Sequence, residues 1–258
     1  MAEETIQSVN RVFSILEVLA SEGSKSIAEL HMRLGLHKTT LHRMLGTLTE
    51  LGYVLQNPEN GKYYLSYKII VLANQTLRWN TAARVATPFL QELVEDCRET
   101  VHMMQREENR VRYIVKIEPN SANFVMGSYV GMELPMYCTA AGKAMMAGLP
   151  EWEVEKIWEE NKGTRYTEKT VRSLSELRKQ LEEIRRTGVA YDNEEREKGL
   201  FCVAVCVPDC QGVPRYGISI SAPSARMNVE NVGDYERKLK KIQEAVAKAL
   251  GSCLVRRD

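Results

Sequence analysis

The first stretch of the chain places apolar residues with the period of a helix. Val9, Val12, Phe13, Leu16 and Leu19 follow one another at spacings of 3, 1, 3 and 3, which predicts an amphipathic helix over residues 9–19 with Ser8 as its N-cap. A polar break, Ser21-Glu22-Gly23-Ser24-Lys25, comes next. Ser26-Ile27-Ala28-Glu29 then reads as a capping box. Ile27, Leu30, His31 and Leu34 share one face of a short second helix, and Gly35 fits the left-handed position that ends it. A third helix, roughly His37 to Leu51, turns Leu41, Met44, Leu45 and Leu48 inward and is closed by Gly52. Two β-prone runs, 53–56 and 62–66, flank a loop ending in Asn60-Gly61, a strong hairpin signal.

From Lys68 to Glu95 the pattern is helical again, and Pro88 is expected to interrupt it. A linker helix then runs to about Ala86, followed by a new helix. Beyond it, strand-like runs at 101–105, 111–117, 124–129, 200–207 and 216–222 alternate with helical periods at 140–149, 151–160, 174–186 and 235–250. Ser173 and Glu176 form a second capping box, and Gly188 is a helix stop. Hairpin-like strand neighbours between long helices predict an α+β domain rather than a regular βαβ array.

Composition changes this picture little: 44% hydrophobic and 27% charged residues in 258 are ordinary for a globular protein. No apolar run approaches the roughly 18 residues that span a bilayer. The start, MAEETIQSVNRV, has no basic-then-apolar signal region, so a cytoplasmic protein is expected. Six cysteines spread through a chain this long do not make a disulfide framework.

Charge matters only once it is located. The 35 Lys+Arg against 34 Asp+Glu give a net charge of +1, which by itself speaks against nucleic acid. From Leu30 through Thr49, however, there is no acidic residue, whereas Arg33, Lys38 and Arg43 are cationic and His31, His37 and His42 are potential donors. Two short helices joined by a tight Gly-containing turn describe a helix-turn-helix, and the hairpin after them adds a wing. Lys38, Thr39, Thr40, His42 and Arg43 crowd the N-terminal part of the third helix, the part that enters a major groove. Arg and Lys pair with guanine N7 and O6, and Thr supplies a hydroxyl for phosphate and a methyl for thymine. With Ser26 and the wing residue Lys62, these are the candidate contacts to double-stranded DNA. A merely solvated basic face is the plain alternative.

In the second part, CTAAGKAMMA places Thr139 where it can cap a helix whose first turn is Ala140, Ala141 and Gly142. Small side chains there leave backbone N–H groups accessible to an anion, although a tightly packed capped helix explains the run equally. Ser219 and Ser221 share one strand face and Ile218 and Ile220 the other. Two hydroxyls on one face suit a carboxylate or hydroxy-acid, and equally a solvated sheet face. Asp192 ends a strand-like VAYD before an acidic loop, as a ligand or as a loop cap. Cys202 and Cys206 lie about 13 Å apart along a strand, too far for one metal ion or a disulfide. Cys202 reads as a pocket wall and the other cysteines as small buried hydrophobes. No metal and no cofactor are expected.

SVNRVFSILEVLA, IAELHMRLGLHKTTLHRMLGTLTELGYV and NGKYYLSYKIIVLA resemble the N-terminal half of the IclR family of bacterial transcription regulators. LPMYCTAAGKAMMA, YTEKT, IRRTGVAYDNEEREKGLFCVAV and GISISAPSAR extend the resemblance over nearly the whole chain. Tyr137 and the DNEEREKGL run are similar to the sugar-acid-responsive branch. The resemblance implies a winged helix-turn-helix over residues 1–68, a linker helix over 69–86 and a GAF-like effector-binding and oligomerisation domain over 87–258. It also implies a repressor that forms dimers, or tetramers of paired dimers, on palindromic operators. It places Leu134, Ala140, Ala141, Asp192, Cys202, Ser219 and Ser221 in a pocket for a small organic acid, with Met145 or Met146 as a further apolar wall. The chain departs from the family at three points. Cys206 stands where a proline is usual, and Ser66 where glycine is frequent. Met132 and Glu133 replace a common basic pair, which argues against a highly charged effector.

Two other classes compete. A cysteine-dependent redox enzyme or sensor built on Cys202 and Asp192 is one, but the chain has no GxSxG, HExxH, P-loop or CxxC motif. A protein-interaction adaptor is the other; it predicts no salt-dependent affinity for DNA.

Overall fold

The computed structural model describes residues 6–79, 81–120, 126–161 and 164–251. The chain divides into two compact units, Met1–Trp79 and Asn80–Asp258.

The first unit is built from α1 (Gln7–Glu22), α2 (Ile27–Leu34), α3 (Lys38–Glu50), β1 (Val54–Gln56), β2 (Tyr63–Leu65) and α4 (Lys68–Trp79). Ile15 and Leu19 are the buried residues of α1, whereas Val9 and Phe13, expected inside, are exposed. The core-facing stripe follows the i, i+4 pair 15–19, with Val12 and Leu16 packed beside it. Nor does Ser8 cap the helix: the N-cap is Ile6, without a side-chain hydrogen bond. The capping box of α2 is complete, with Ser26 Oγ accepting from Glu29 N–H and Glu29 accepting from Ser26 N–H at 2.7 Å. Gly35 takes φ 67° and ends α2. The His31 ring then meets the Leu36 carbonyl at 2.7 Å and ties down the turn into α3. Leu30, Leu41, Leu45 and Leu48 close the small core. β1 and β2 pair antiparallel, and Lys25 bridges Tyr63 to complete the wing.

The second unit holds α5 (Thr81–Cys97), β3 (Thr100–Glu107), β4 (Arg110–Ile117), β5 (Glu133–Pro135), α6 (Ala140–Met146), α7 (Glu151–Asn161), α8 (Leu174–Thr187), β6 (Ala190–Asn193), β7 (Leu200–Pro208), β8 (Pro214–Pro223) and α9 (Gly233–Ala249). The six strands form one antiparallel sheet in the order β5-β4-β3-β8-β7-β6. Period-2 alternation assigns the faces. Val101, Met103, Val203, Ile218 and Ile220 pack against α5 and α9, whereas Met104, Tyr113, Cys202 and Ala204 face the layer of α6, α7 and α8.

Three expectations fail here. α5 runs straight through Pro88, because Ala82, Ala83, Ala86, Leu90, Leu93, Val94 and Cys97 form one continuous buried stripe across it. That packing outweighs the roughly 3 kcal/mol a helical proline costs. Of the strand expected over 124–129, Phe124 and Val125 lie outside the described residues, and Met126–Tyr129 is irregular rather than strand. The strand beside β4 is instead β5, which pairs through Val111 and Leu134. Finally, the second capping box is only half made. Ser173 accepts from Glu176 N–H, but the Glu176 carboxylate turns to the N–H of Arg172.

α6 is held close by two glycines. A Cβ on Gly142 would lie 2.3 Å from the Met136 carbonyl, and one on Gly217 would lie 2.8 Å from the Ala141 methyl. Because the first obstacle is backbone, Gly142→Ala is expected to destabilise the unit by about 1–3 kcal/mol despite its better helix propensity. Thermal denaturation checks this; an unchanged or raised Tm contradicts it.

Candidate functional site: a DNA-reading helix and an enclosed polar cavity

On α3, Lys38, Thr39, His42 and Arg43 are exposed and Thr40 is half-buried. Arg43 and Thr40, with Met44 and Thr47, also border an open groove against Arg11 and Val12 of α1. Arg33 is drawn off by Glu22, 2.7 Å away. Lys38 and Arg43 are therefore the cations of the acid-free stretch that carry no ion pair among the described residues. Lys62 does not stand free at the wing tip: its ammonium lies 3.0 Å from Glu29. The Ser26 backbone N–H, then Lys62, hold the Glu29 carboxyl down at about 2. Ser26, Glu29 and Lys62 thus form one cluster, with the Ser26 hydroxyl oxygen engaged as the cap.

The second unit encloses a cavity of about 160 Å³ between the sheet face of β3, β4, β7 and β8, the start of α6, the 126–128 segment and the loop after β6. Leu134, Ala140, Ala141, Asp192, Cys202, Ser219 and Ser221 all line it. Met145 and Met146 do not; both are buried in the core behind α6. The Thr139 hydroxyl does not cap α6 but donates back to the Pro135 carbonyl at 3.0 Å.

Asp192 is only 3% exposed. Its Oδ1 accepts the N–H of Glu195 at 2.7 Å and of Arg196 at 3.3 Å. Burial pushes its carboxyl up to about 7, with Lys143 opposing and Glu195 adding to the rise. Behind it, Lys143 and Glu195 form a buried ion pair, and Lys143 also donates to Gln180 at 2.6 Å. Burial raises the Glu195 carboxyl while Lys143 pulls it down. The YTEKT run braces this loop from outside: Thr170 donates to the Glu195 carbonyl at 2.6 Å and Thr167 to that of Glu194 at 2.7 Å.

Sequence reasoning missed His102, Ser128 and Arg196 as cavity residues. His102 pairs in register with Ser219, so its side chain comes up beside the two serines. Its ring shares hydrogen bonds with Ser128 at 2.9 Å and Ser221 at 3.5 Å and lies 4.7 Å from Tyr113. Burial, then Lys116, drive it down to about 3, so it is neutral at physiological pH. Arg196 sits over the Tyr166 ring at 4.1 Å. Its Nε and the Ser219 hydroxyl are both buried without a hydrogen-bond partner among the described residues. An alternation count would have found His102, but nothing local marks Arg196.

Three of the cysteines are held as thiols. Burial raises the Cys202 thiol, and Asp192 raises it further. Burial also lifts Cys138 to about 12 and Cys97 to about 11. Thiols held protonated in this way are poor nucleophiles. Contrary to expectation, Cys206 is partly exposed and Cys210 is exposed.

A winged helix-turn-helix unit carried with a unit that holds a ligand-sized cavity defines a ligand-responsive, DNA-binding transcriptional regulator. Residues 8–58 match the IclR helix-turn-helix domain and residues 75–248 the C-terminal domain of the bacterial transcriptional regulator IclR. The chain belongs to the IclR family. It is 36% identical over 248 residues to the HTH-type transcriptional regulator KdgR of Escherichia coli, covering 96% of this chain and 94% of that protein. It is 31% identical over 248 residues to the transcriptional repressor IclR of Escherichia coli, covering 95% and 90%. The Thermotoga maritima IclR crystal structure superposes with a TM-score of 0.84 at 29% identity, covering 96% of this chain and all of that one. Among the described residues no helix is long and apolar enough to cross a membrane.

Proposed function

We propose that this regulator controls a catabolic operon from the cytoplasm in response to a small carboxylic or sugar acid, and that it binds a palindromic operator as a dimer or a tetramer of paired dimers. The observation that carries the acid reading is the cavity itself: it gathers Ser219, Ser221, Asp192 and the small residues Ala140 and Ala141 beside Arg196, whose buried Nε has no hydrogen-bond partner among the described residues. The similarity of Tyr137 and the DNEEREKGL run to the sugar-acid-responsive branch agrees with it. On the DNA side, Lys38, Thr39, Thr40, His42 and Arg43 read the groove. Lys62 exchanges Glu29 for a phosphate, with Ser26 at the same edge. Effector binding orders the 192–200 loop and changes the separation of the two recognition helices in the dimer.

A thermal-shift screen of small carboxylic and sugar acids, with uncharged polyols as controls, tests this reading. A ligand at a hundred times its Kd adds about 2.7 kcal/mol to native-state stability, roughly 5–10 °C for a domain of this size. At least one acid should give such a shift and alter the affinity for DNA. If none of them does, the acid reading falls. DNA affinity should also fall steeply with salt through counterion release, which an interaction adaptor would not show.

A further inference from the structure

We propose that the effector is a monocarboxylate whose carboxylate is taken by the Arg196 guanidinium and the Ser219 hydroxyl, and that Asp192 is protonated in the complex, so that binding takes up one proton. This rests on the acid-effector reading and narrows it. Buried donors are almost always paired. Arg196 Nε and Ser219 Oγ are buried donors of the cavity wall left without partners, and both are suited to a carboxylate.

Charge then decides the rest. Inside the cavity stand one cation, Arg196, and one buried acid, Asp192. His102 of β3 is neutral. On β4, Tyr113 is held protonated by burial, as is Cys202 on β7 opposite Asp192. Cys138, before α6, is protonated too. Lys143 of α6 and Glu195 cancel each other behind the wall. Lys116 is spent on Glu118 and on the carbonyls of Met126 and Ser128, and Glu197, a second acid on the cavity wall, is exposed to water, which screens its charge. Adding a carboxylate to this balance leaves one negative charge that no buried cation compensates, a costly state. A proton on Asp192 removes it.

Oδ1 of Asp192 already accepts two backbone N–H groups, so the proton sits on Oδ2, where it becomes a donor to the ligand. The free carboxyl titrates near 7, well above an ordinary hydroxy- or keto-acid, so the proton goes to Asp192 and the ligand stays ionised. A dicarboxylate would bring a second charge with no cation to meet it.

Isothermal titration calorimetry of the full chain tests this with D-gluconate, D-glycerate, L-lactate and pyruvate as probes, and with L-malate, D-tartrate and the uncharged D-gluconamide as controls. For the tightest-binding probe, heats in phosphate and Tris at pH 8 should differ by the uptake of close to one proton, falling towards zero at pH 5.5. Affinity should drop about tenfold per pH unit above pH 8, since the empty site then lacks the proton the complex needs. Arg196→Met should weaken binding about ten- to a hundredfold. Asp192→Asn should abolish the proton uptake and flatten the pH profile, which a merely structural Asp192 would not do. Monocarboxylate binding without proton uptake, equal binding of a dicarboxylate or the amide, or an unaltered Arg196→Met overturns this proposal while leaving the acid reading standing. If no acid binds at all, both fall.

Discussion

Arg43→Ala is expected to weaken binding to a specific operator by about five- to 150-fold for every half-site engaged. Arg43 is exposed on α3, and no acid competes for it among the described residues. The aliphatic face of the same helix, Leu41, Leu45 and Leu48, is fully committed to the core. Its guanidinium is therefore free to make a bidentate contact with guanine, worth about 1–3 kcal/mol. Lys38→Ala should act differently. A phosphate contact is lost equally on any sequence, so specific and non-specific binding should weaken together and the salt slope should fall by about one per site. Both are measured by fluorescence anisotropy on a duplex selected by the wild-type protein from a random pool and on a scrambled duplex. If both variants bind as the wild type does, α3 is not the recognition helix. Arg33→Ala is the internal contrast: its charge is already engaged by Glu22, so the loss should be much smaller.

The second large effect concerns the buried pair behind the cavity. Lys143→Met leaves Glu195 inside the protein with no counter-charge, a change that costs about 3–5 kcal/mol, or roughly 6–20 °C in Tm for a unit of this size. The loss should depend on pH in a defined direction. Without Lys143, the folded-state pKa of Glu195 stands well above its unfolded value. The penalty is therefore absent below the unfolded pKa and grows as pH rises towards the folded one. Thermal or urea denaturation at pH 5 and pH 8 measures it, and the variant should be closer to wild type at pH 5. Adding Glu195→Gln to Lys143→Met should recover much of the stability. A pH-independent loss, or no recovery in the double variant, would show that Lys143 acts only by packing. Because Glu195 N–H holds Oδ1 of Asp192, the single variant should also impair effector binding.

Much of the architecture was legible in the chain. The capping box at Ser26 and Glu29, the left-handed stops at Gly35 and Gly188 and the Asn60-Gly61 turn are local signals, read from a few neighbouring residues. They survive because nothing distant competes with them. The errors share one cause. Pro88 is a strong local breaker, yet the buried stripe Ala83–Ala86–Leu90–Leu93–Cys97 carries the helix through it, with Pro88 itself exposed. Ser8 and Thr139 are good caps by identity, yet neither hydroxyl caps its helix. Glu176 and Lys62 have the right chemistry for their expected partners, and each finds a nearer one in space.

The cavity divides in the same way. Leu134, Ala140, Ala141, Asp192, Cys202, Ser219 and Ser221 were nameable from the sequence, through alternation in the strands and the family resemblance. What the sequence by itself determined is therefore the order of elements, the polar face of each strand and the acid-free surface of α3, since those depend on residues a few positions apart. Only the tertiary structure decided that His102 stands beside Ser219, that Arg196 lines the same space as Asp192 with its Nε unsatisfied among the described residues, and that Lys143 neutralises Glu195 behind it. The first and the last of those relations join residues more than 100 and 52 positions apart in the chain. Strand pairing and helix packing create them, and with them the low-dielectric enclosure in which one unpaired charge or one proton decides what binds.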